Sequence, residues 1–260
     1  MNRIEKFFQR IGMDPTTDVT PTLDLLGQIQ SHCVLAIAYE NLDILAGKPI
    51  DLSPAALFDK IVTRGRGGYC FELNGFLAQM LTEIGYSVSE RFARFLRGET
   101  EIPMRRHRVC VVSLPDGDYF CDIGVGQIAP RLPLKVEEDL LQEQNGETYR
   151  FRRDPVHGWV LWELHHGVWR EFLAIPEAPA FPVDFLQPTF FCEHHPDSIF
   201  NKAPMIAIKT PDGRRTIDGR TYKIFRGEEL VRIEENISDG RMEELLCREF
   251  RLDLTGLSGR

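Results

Sequence analysis

The spacing of apolar residues changes once along the chain, near residue 85, and that change limits the folds open to it. Up to that point apolar positions recur three and four residues apart, the period of helices with one buried face. In CFELNGFLAQMLTEIG, Leu73, Phe76, Leu77, Met80, Leu81 and Ile84 form one stripe, and Gly85 stands where a helix-ending glycine belongs. Ser53 followed by Pro54 predicts another helix start, a capping hydroxyl with proline in the first turn. From Tyr86 the texture becomes short alternating runs, YSVSERFARFL, HRVCVVSL and DYFCDIGV, broken by turn residues such as Pro115-Asp116-Gly117. Such alternation predicts antiparallel sheet or barrel. His166-Gly167 reads as a hairpin turn between strands carrying Trp159, Trp162 and Trp169 as packing residues. Further on, APAFPVDFLQP reads as a proline-rich loop or crossover, MIAIKTPDGRRTIDGRTYKIF as another pair of strands, and EELLCREF as a closing helix. The fold class is therefore α+β.

A chain of 260 residues, 43% hydrophobic, can bury a sizeable core. Its net charge of -8 provides no general basic face for nucleic acid, so an anionic ligand must be met by a local cluster. No stretch approaches the ~18 uninterrupted apolar residues of a membrane span, and MNRIEKFFQR lacks a secretory pattern. Cys33, Cys70, Cys110, Cys121, Cys192 and Cys247 contain no CxxC pair and sit mostly in apolar runs. Together these predict a cytoplasmic protein with free thiols and no membrane partner.

In TRGRGGYCFELN, two glycines and a tyrosine lead directly into Cys70 at a helix start. The partial positive charge of a helix N-terminus favours thiolate, the nucleophilic form of a thiol whose free pKa is near 8.5. Gly67 and Gly68 are expected to let the backbone approach a substrate, where peptide N–H groups form an oxyanion hole. An arbitrary helical cysteine is more often a small core residue, so its partners decide. His107 begins a strand in RRHRVCVV, and Asp122 follows fifteen residues later in DYFCDIGVG. Nucleophile, base and orienting carboxylate are the groups acyl transfer through a thiol requires. Asp122 is flanked by Phe120, Cys121, Ile123 and Val125, where a carboxylate is costly unless paired. A two-residue turn at Asp116-Gly117 sets Asp122 opposite Val111, ~13 Å along the strand from His107, so spacing alone leaves the contact open.

RGGYCFELN, HRVCVV and DYFCDIGVG resemble the three signature blocks of the arylamine N-acetyltransferases. IAYENLDI, HPDSIFN and TPDGRRTIDGR are similar to further blocks of that family, so the resemblance covers nearly the whole chain. It implies a helical bundle over 1–85 with the catalytic cysteine, a central antiparallel β-barrel over 86–190, and a C-terminal α/β lid over 191–260. It also implies a cysteine-protease-like triad: Cys70 the acetyl acceptor, His107 the base and Asp122 its orienter. Substrate contacts are expected at Tyr69, Phe71, Gly124, Val125 and Gly126. The implied donor is acetyl-CoA, a substrate rather than a tightly bound cofactor, and the acceptor a small aromatic amine or hydrazine; no metal is expected, and the chain is expected to be a monomer or weak homodimer. Two departures stand out: Ala38-Tyr39 replaces a more usual Pro-Phe, and Val125 stands where an aromatic residue is common.

Glu40 and Arg64 read equally as an ion pair bracing the Arg-Gly loop or as two surface charges. Arg91, Arg94, Arg97, Arg105, Arg106 and Arg108 concentrate charge near His107, as coenzyme A phosphates require, although most such arginines lie on solvated strand faces. Cys192, His194 and His195 in FCEHHPD are zinc-ligand types without a second cluster, and read better as a loop near the acceptor pocket. Two rival enzymes use the same groups: a family-related amide synthase, and a cysteine hydrolase or transglutaminase-like protein. Against the hydrolase, His107 follows Cys70 by only 37 residues.

Overall fold

Five α-helices and one π-helical turn (Asp59–Thr63) precede the first strand in the computed structural model, which describes residues 1–255. The α-helices are α1 (Arg3–Ile11), α2 (Leu23–Ala36), α3 (Leu42–Leu45), α4 (Pro54–Phe58) and α5 (Cys70–Ile84). As the caps predict, Ser53 Oγ accepts from Ala56 N–H at the start of α4, and Gly85 ends α5 in a left-handed conformation at φ 112. The whole predicted stripe of α5 is buried, and so is most of its opposite face. The reason is position: α1 and α4 pack on one side of α5, and the first two strands on the other.

Strands β1 (Ser87–Phe95), β2 (Arg105–Leu114), β3 (Gly117–Cys121), β4 (Leu134–Lys135), β5 (Gln142–Gln144), β6 (Glu147–Asp154), β7 (Gly158–His165) and β8 (Val168–Ile175) form one antiparallel sheet. Its order is β4-β3-β2-β1-β8-β7-β6-β5, curled into a nearly closed barrel around Phe120, Phe151 and Phe172. His166 and Gly167 make the predicted β7–β8 turn, at φ 48 and φ 76. Trp159 packs in the barrel and under Arg153, whose guanidinium lies 3.7 Å from its ring, and Trp169 carries Arg150 at 4.1 Å.

The segment APAFPVDFLQP is not the expected loop. A short 3-10 turn over Pro182–Phe185 runs into α6 (Leu186–His194), with Pro182 and Pro188 both in first turns, where a missing N–H is harmless. The second sheet has four strands rather than two: β9 (Met205–Thr210), β10 (Gly213–Asp218), β11 (Thr221–Arg226) and β12 (Glu229–Glu234), in the order β12-β11-β10-β9. The closing helix α7 (Asp239–Arg248) packs Leu245 and Leu246 against Ile206, Ile217 and Tyr222 of that sheet. Residues 256–260, the end of the expected third unit, lie outside the described residues.

Tyr39 ties these parts together. Its N–H donates to Ala207 O at 2.8 Å and its C=O accepts from Ala207 N–H at 3.0 Å, while Glu40 N–H donates to Gly68 O at 2.9 Å. The segment before α3 therefore joins the loop leading to Cys70 with the edge of the second sheet.

Candidate active site

Cys70 is the first residue of α5 and only 3% exposed, on the wall of a cavity of about 360 Å³. Tyr69 is the N-cap, and its N–H donates to the carboxylate of Glu72 at 3.2 Å, which locks the helix start. Burial pushes the Cys70 thiol well above its ordinary pKa, and Cys192 and Asp122 add to the rise; the backbone N–H groups of Arg108 and Phe71 act the other way. An isolated thiolate is thus disfavoured, and charge on this sulfur needs a proton acceptor that becomes a cation beside it.

His107 provides a group of that kind on the same cavity. In β2 a bulge interrupts the ladder: Ala93 pairs with His107 but Arg94 with Arg105, leaving Arg106 as the extra residue. Arg106 lines the cavity, and its carbonyl lies 3.7 Å from Cys70 Sγ. His107 Nε2 is 2.6 Å from Asp122 Oδ2. Because a carboxylate only accepts, Nε2 carries the hydrogen and Nδ1 is free to exchange a proton.

The expected register was two residues out. Leu114 pairs with Gly117, so the turn is Pro115-Asp116, and continuing the ladder past Cys110↔Cys121 sets Asp122 level with Val109. That halves the offset from His107 to two residues, ~7 Å along the strand, within side-chain reach.

Asp122 is fully buried, and its second oxygen accepts from Asn74 Nδ2 at 2.8 Å and from Gly124 N–H at 2.7 Å. Asn74 is a site residue that the sequence motifs do not single out. It also accepts from Ile123 N–H at 2.9 Å and donates to Arg108 O, so its amide stitches α5 to the loop after β3. The signal was available: an asparagine four residues after Cys70 lies on the same helix face, and a buried amide needs partners. Gly124 must be small, because a Cβ there would lie 2.9 Å from Cys70 Cα and 2.7 Å from Asn74 Nδ2. Gly75, inside α5, makes room for the Arg108 guanidinium, which donates to Phe71 O at 3.1 Å and pairs with Glu90.

Among the expected substrate contacts, Gly124, Val125 and Gly126 line the cavity with Cys70 and His107. Tyr69 and Phe71 do not; both are fully buried and stand behind the wall, Tyr69 with its ring 5.5 Å from that of Phe200, which is part of the lining. Gly67 and Gly68 are also buried, and their close approach is to protein rather than to substrate: a Cβ on Gly67 would lie 2.0 Å from Ala38 O.

The brace of the Arg-Gly loop is Arg66, not Arg64. Arg64 points outward and pairs with exposed Asp59 at 2.9 Å. Gly65, at φ 60, turns the chain between the two arginines, and Arg66 contacts Glu40 at 2.6 Å and Asp43 at 3.2 Å. Lys60 joins Asp43 and Glu72, each at 2.7 Å, completing a buried network behind the start of α5.

Of the six arginines near His107, Arg106 alone lines the cavity. Arg97 pairs with Glu163 at 2.8 Å, Arg91 and Arg94 donate to backbone carbonyls, and Arg108 is buried. Arg105 and Arg106 border a separate groove beside α6. Lys223, from the second sheet, adds a cation to the cavity. Cys192 is buried on α6, whereas exposed His194 packs at a tilt against Phe190 and exposed His195 stacks on Phe191, so the FCEHHPD residues converge on no common point.

A buried cysteine and an imidazole on one cavity, the imidazole backed by a buried carboxylate, on this helix, barrel and sheet arrangement, belong to an acyltransferase. A family model described as N-acetyltransferase matches residues 22–258. The arylamine N-acetyltransferase of Mycobacterium tuberculosis is 35% identical, covering 98% of this chain and 90% of its own. Among solved structures, the arylamine N-acetyltransferase from Salmonella typhimurium superposes with a TM-score of 0.92 at 26% identity, covering 98% of this chain and 92% of its own. That of Mycobacterium marinum in complex with CoA superposes with a TM-score of 0.91 at 31% identity, covering 98% and 95%. The chain belongs to the arylamine N-acetyltransferase family.

Proposed function

We propose that this site carries an acetyl group from acetyl-CoA to arylamines and hydrazines through a thioester on Cys70. Cys70 and His107 face one cavity while Asp122 holds the far imidazole nitrogen at 2.6 Å; this observation carries the reading. The CoA complex of the Mycobacterium marinum relative supports the donor, and Arg106 and Lys223 at the cavity are the cations that would meet its phosphates.

In the first half-reaction His107 Nδ1 takes the Cys70 proton as sulfur attacks the acetyl carbonyl. The imidazolium forms against Asp122, which offsets the cost of charge in a buried site. Collapse of the tetrahedral intermediate breaks the carbon–sulfur bond to coenzyme A, and His107 returns the proton to the leaving thiolate. In the second half an amine lone pair attacks the acetyl-Cys70 carbonyl, His107 takes the amine proton, and Cys70 leaves as thiol once that proton is passed to it. An arylamine suits this step because it is largely unprotonated at neutral pH. Val125, Gly124 and Gly126 form the acceptor side, with Tyr69 and Phe71 behind it. Thioester exchange is nearly balanced, so positioning and oxyanion stabilisation supply most of the acceleration.

No helix among the described residues is long and apolar enough to cross a membrane, and we place the protein in the cytoplasm as a monomer or weak homodimer. Initial rates measured while varying acetyl-CoA at several arylamine concentrations test the scheme. Parallel double-reciprocal lines are expected; lines that intersect would replace the thioester with direct transfer in a ternary complex.

A further inference from the structure

Acetyl transfer leaves two histidines at the tip of the β7–β8 hairpin without a role. His165 ends β7, and His166 is the first turn residue, with a left-handed backbone at φ 48. Consecutive side chains of an extended strand face opposite ways. The left-handed turn cancels that alternation, and the two imidazole rings lie side by side with centroids 4.2 Å apart. A carboxylate from a different sheet meets them: Glu228, in the turn between β11 and β12, has Oε2 3.9 Å from His165 Nδ1. One donor atom from each of the three lies within 4.8 Å of the other two. None of the three lines the Cys70 cavity.

We propose that His165, His166 and Glu228 form a binding site for a divalent late transition metal, zinc foremost, that clamps the barrel hairpin to the C-terminal sheet. Two imidazole nitrogens and one carboxylate oxygen are a donor set that zinc accepts, with water completing the tetrahedron. Ligand bonds of roughly 2.0–2.2 Å place the donors nearer to one another than they stand now. Side-chain rotation provides the difference, since His166 and Glu228 are exposed. Arg214 holds Glu228 by both oxygens, Nη1 to Oε1 at 3.1 Å and, more loosely, Nη2 to Oε2 at 3.4 Å; a metal would take Oε2 from the longer of these bonds and leave the shorter one to anchor the carboxylate. Magnesium prefers all-oxygen, octahedral surroundings and is excluded by the same donors.

The test is calorimetric titration of the full protein, alkylated beforehand at the Cys70 and Cys247 thiols so that neither ligates metal. Zinc is expected to bind once per chain and to raise the melting temperature, while magnesium does neither. His166→Asn keeps a residue suited to the left-handed turn but removes the imidazole. It should melt like wild type without metal, bind zinc at least tenfold more weakly and lose the thermal shift; Glu228→Gln should weaken binding likewise. Unchanged zinc affinity in His166→Asn, equal response to zinc and magnesium, or no binding by the wild type overturns the assignment.

Discussion

The side-chain amide of Asn74 donates to Asp122 at 2.8 Å, so the helix that begins with Cys70 also positions the carboxylate against which His107 rests. Cysteine and carboxylate are thereby referenced to one helical turn, and Gly124 lets the loop after β3 close directly on that turn.

Replacing Asn74 by alanine removes a hydrogen bond to a charged group, about 1.5–3 kcal/mol. If that bond holds the geometry of the acetyl-transfer step, kcat/KM falls by about ten- to a hundredfold. Iodoacetamide labelling of Cys70 should slow together with turnover while circular dichroism is unchanged. A folded Asn74→Ala enzyme with wild-type turnover would show that Asp122 keeps its position without the amide.

Arg66 and Arg64 are two residues apart and should behave oppositely. Arg66→Met leaves Glu40 and Asp43 short of a buried counter-charge and is expected to cost about 3–5 kcal/mol. Arg64→Ala loses one exposed pair, worth at most about 1 kcal/mol. Urea unfolding of both variants measures this, and similar midpoints would contradict the buried network.

Alkaline pH should destabilise the fold. Burial pushes the thiols of Cys33, Cys110 and Cys121 far up, and that of Cys192 up to about 12. Unfolded thiols lose protons near pH 8.5, so above that point the unfolded chain binds fewer protons than the native one and stability falls as pH rises. Each thiol contributes about 1.4 kcal/mol per pH unit in this window, from roughly pH 8.5 towards 12. Urea midpoints between pH 7.5 and 10 should decline, with a shallower decline in Cys33→Ala. A flat profile would mean that these thiols titrate alike in both states.

Much of this architecture was legible in the sequence because local rules and tertiary demand agree. The α5 stripe, the Gly85 cap and the His166-Gly167 turn each follow from backbone preferences that packing reinforces. Failures came where one residue decided between alternatives of equal local merit. Pro115 cannot donate to a ladder, so β2 stops at Leu114, and the turn moves one residue back from Asp116-Gly117, bringing Asp122 within reach of His107. A left-handed Gly65 sends Arg64 outward and Arg66 inward, which spacing alone does not disclose. Prolines 182 and 188 looked like loop residues because the same residue type breaks a helix interior and opens a helix start. Asn74 stands among apolar neighbours in the sequence, where its polarity is the one clue to its role.

Val125 lines the cavity next to Gly124, where a larger side chain would narrow it. Val125→Phe is expected to favour a small planar amine over a bulky one, since an aromatic contact adds ~0.5–1.5 kcal/mol, up to about tenfold in kcat/KM. The rate of the first half-reaction should stay nearly constant. Equal effects on both amines, or a slowed first step with unchanged selectivity, would place Val125 outside the acceptor pocket.

The most direct measurement is intact-protein mass after mixing with acetyl-CoA and no amine, followed by mapping of the modified peptide. One acetyl group on Cys70, discharged by an added arylamine and absent in Cys70→Ala, is the expected result. Acetylation at another residue, or wild-type turnover by Cys70→Ala, would contradict the thioester.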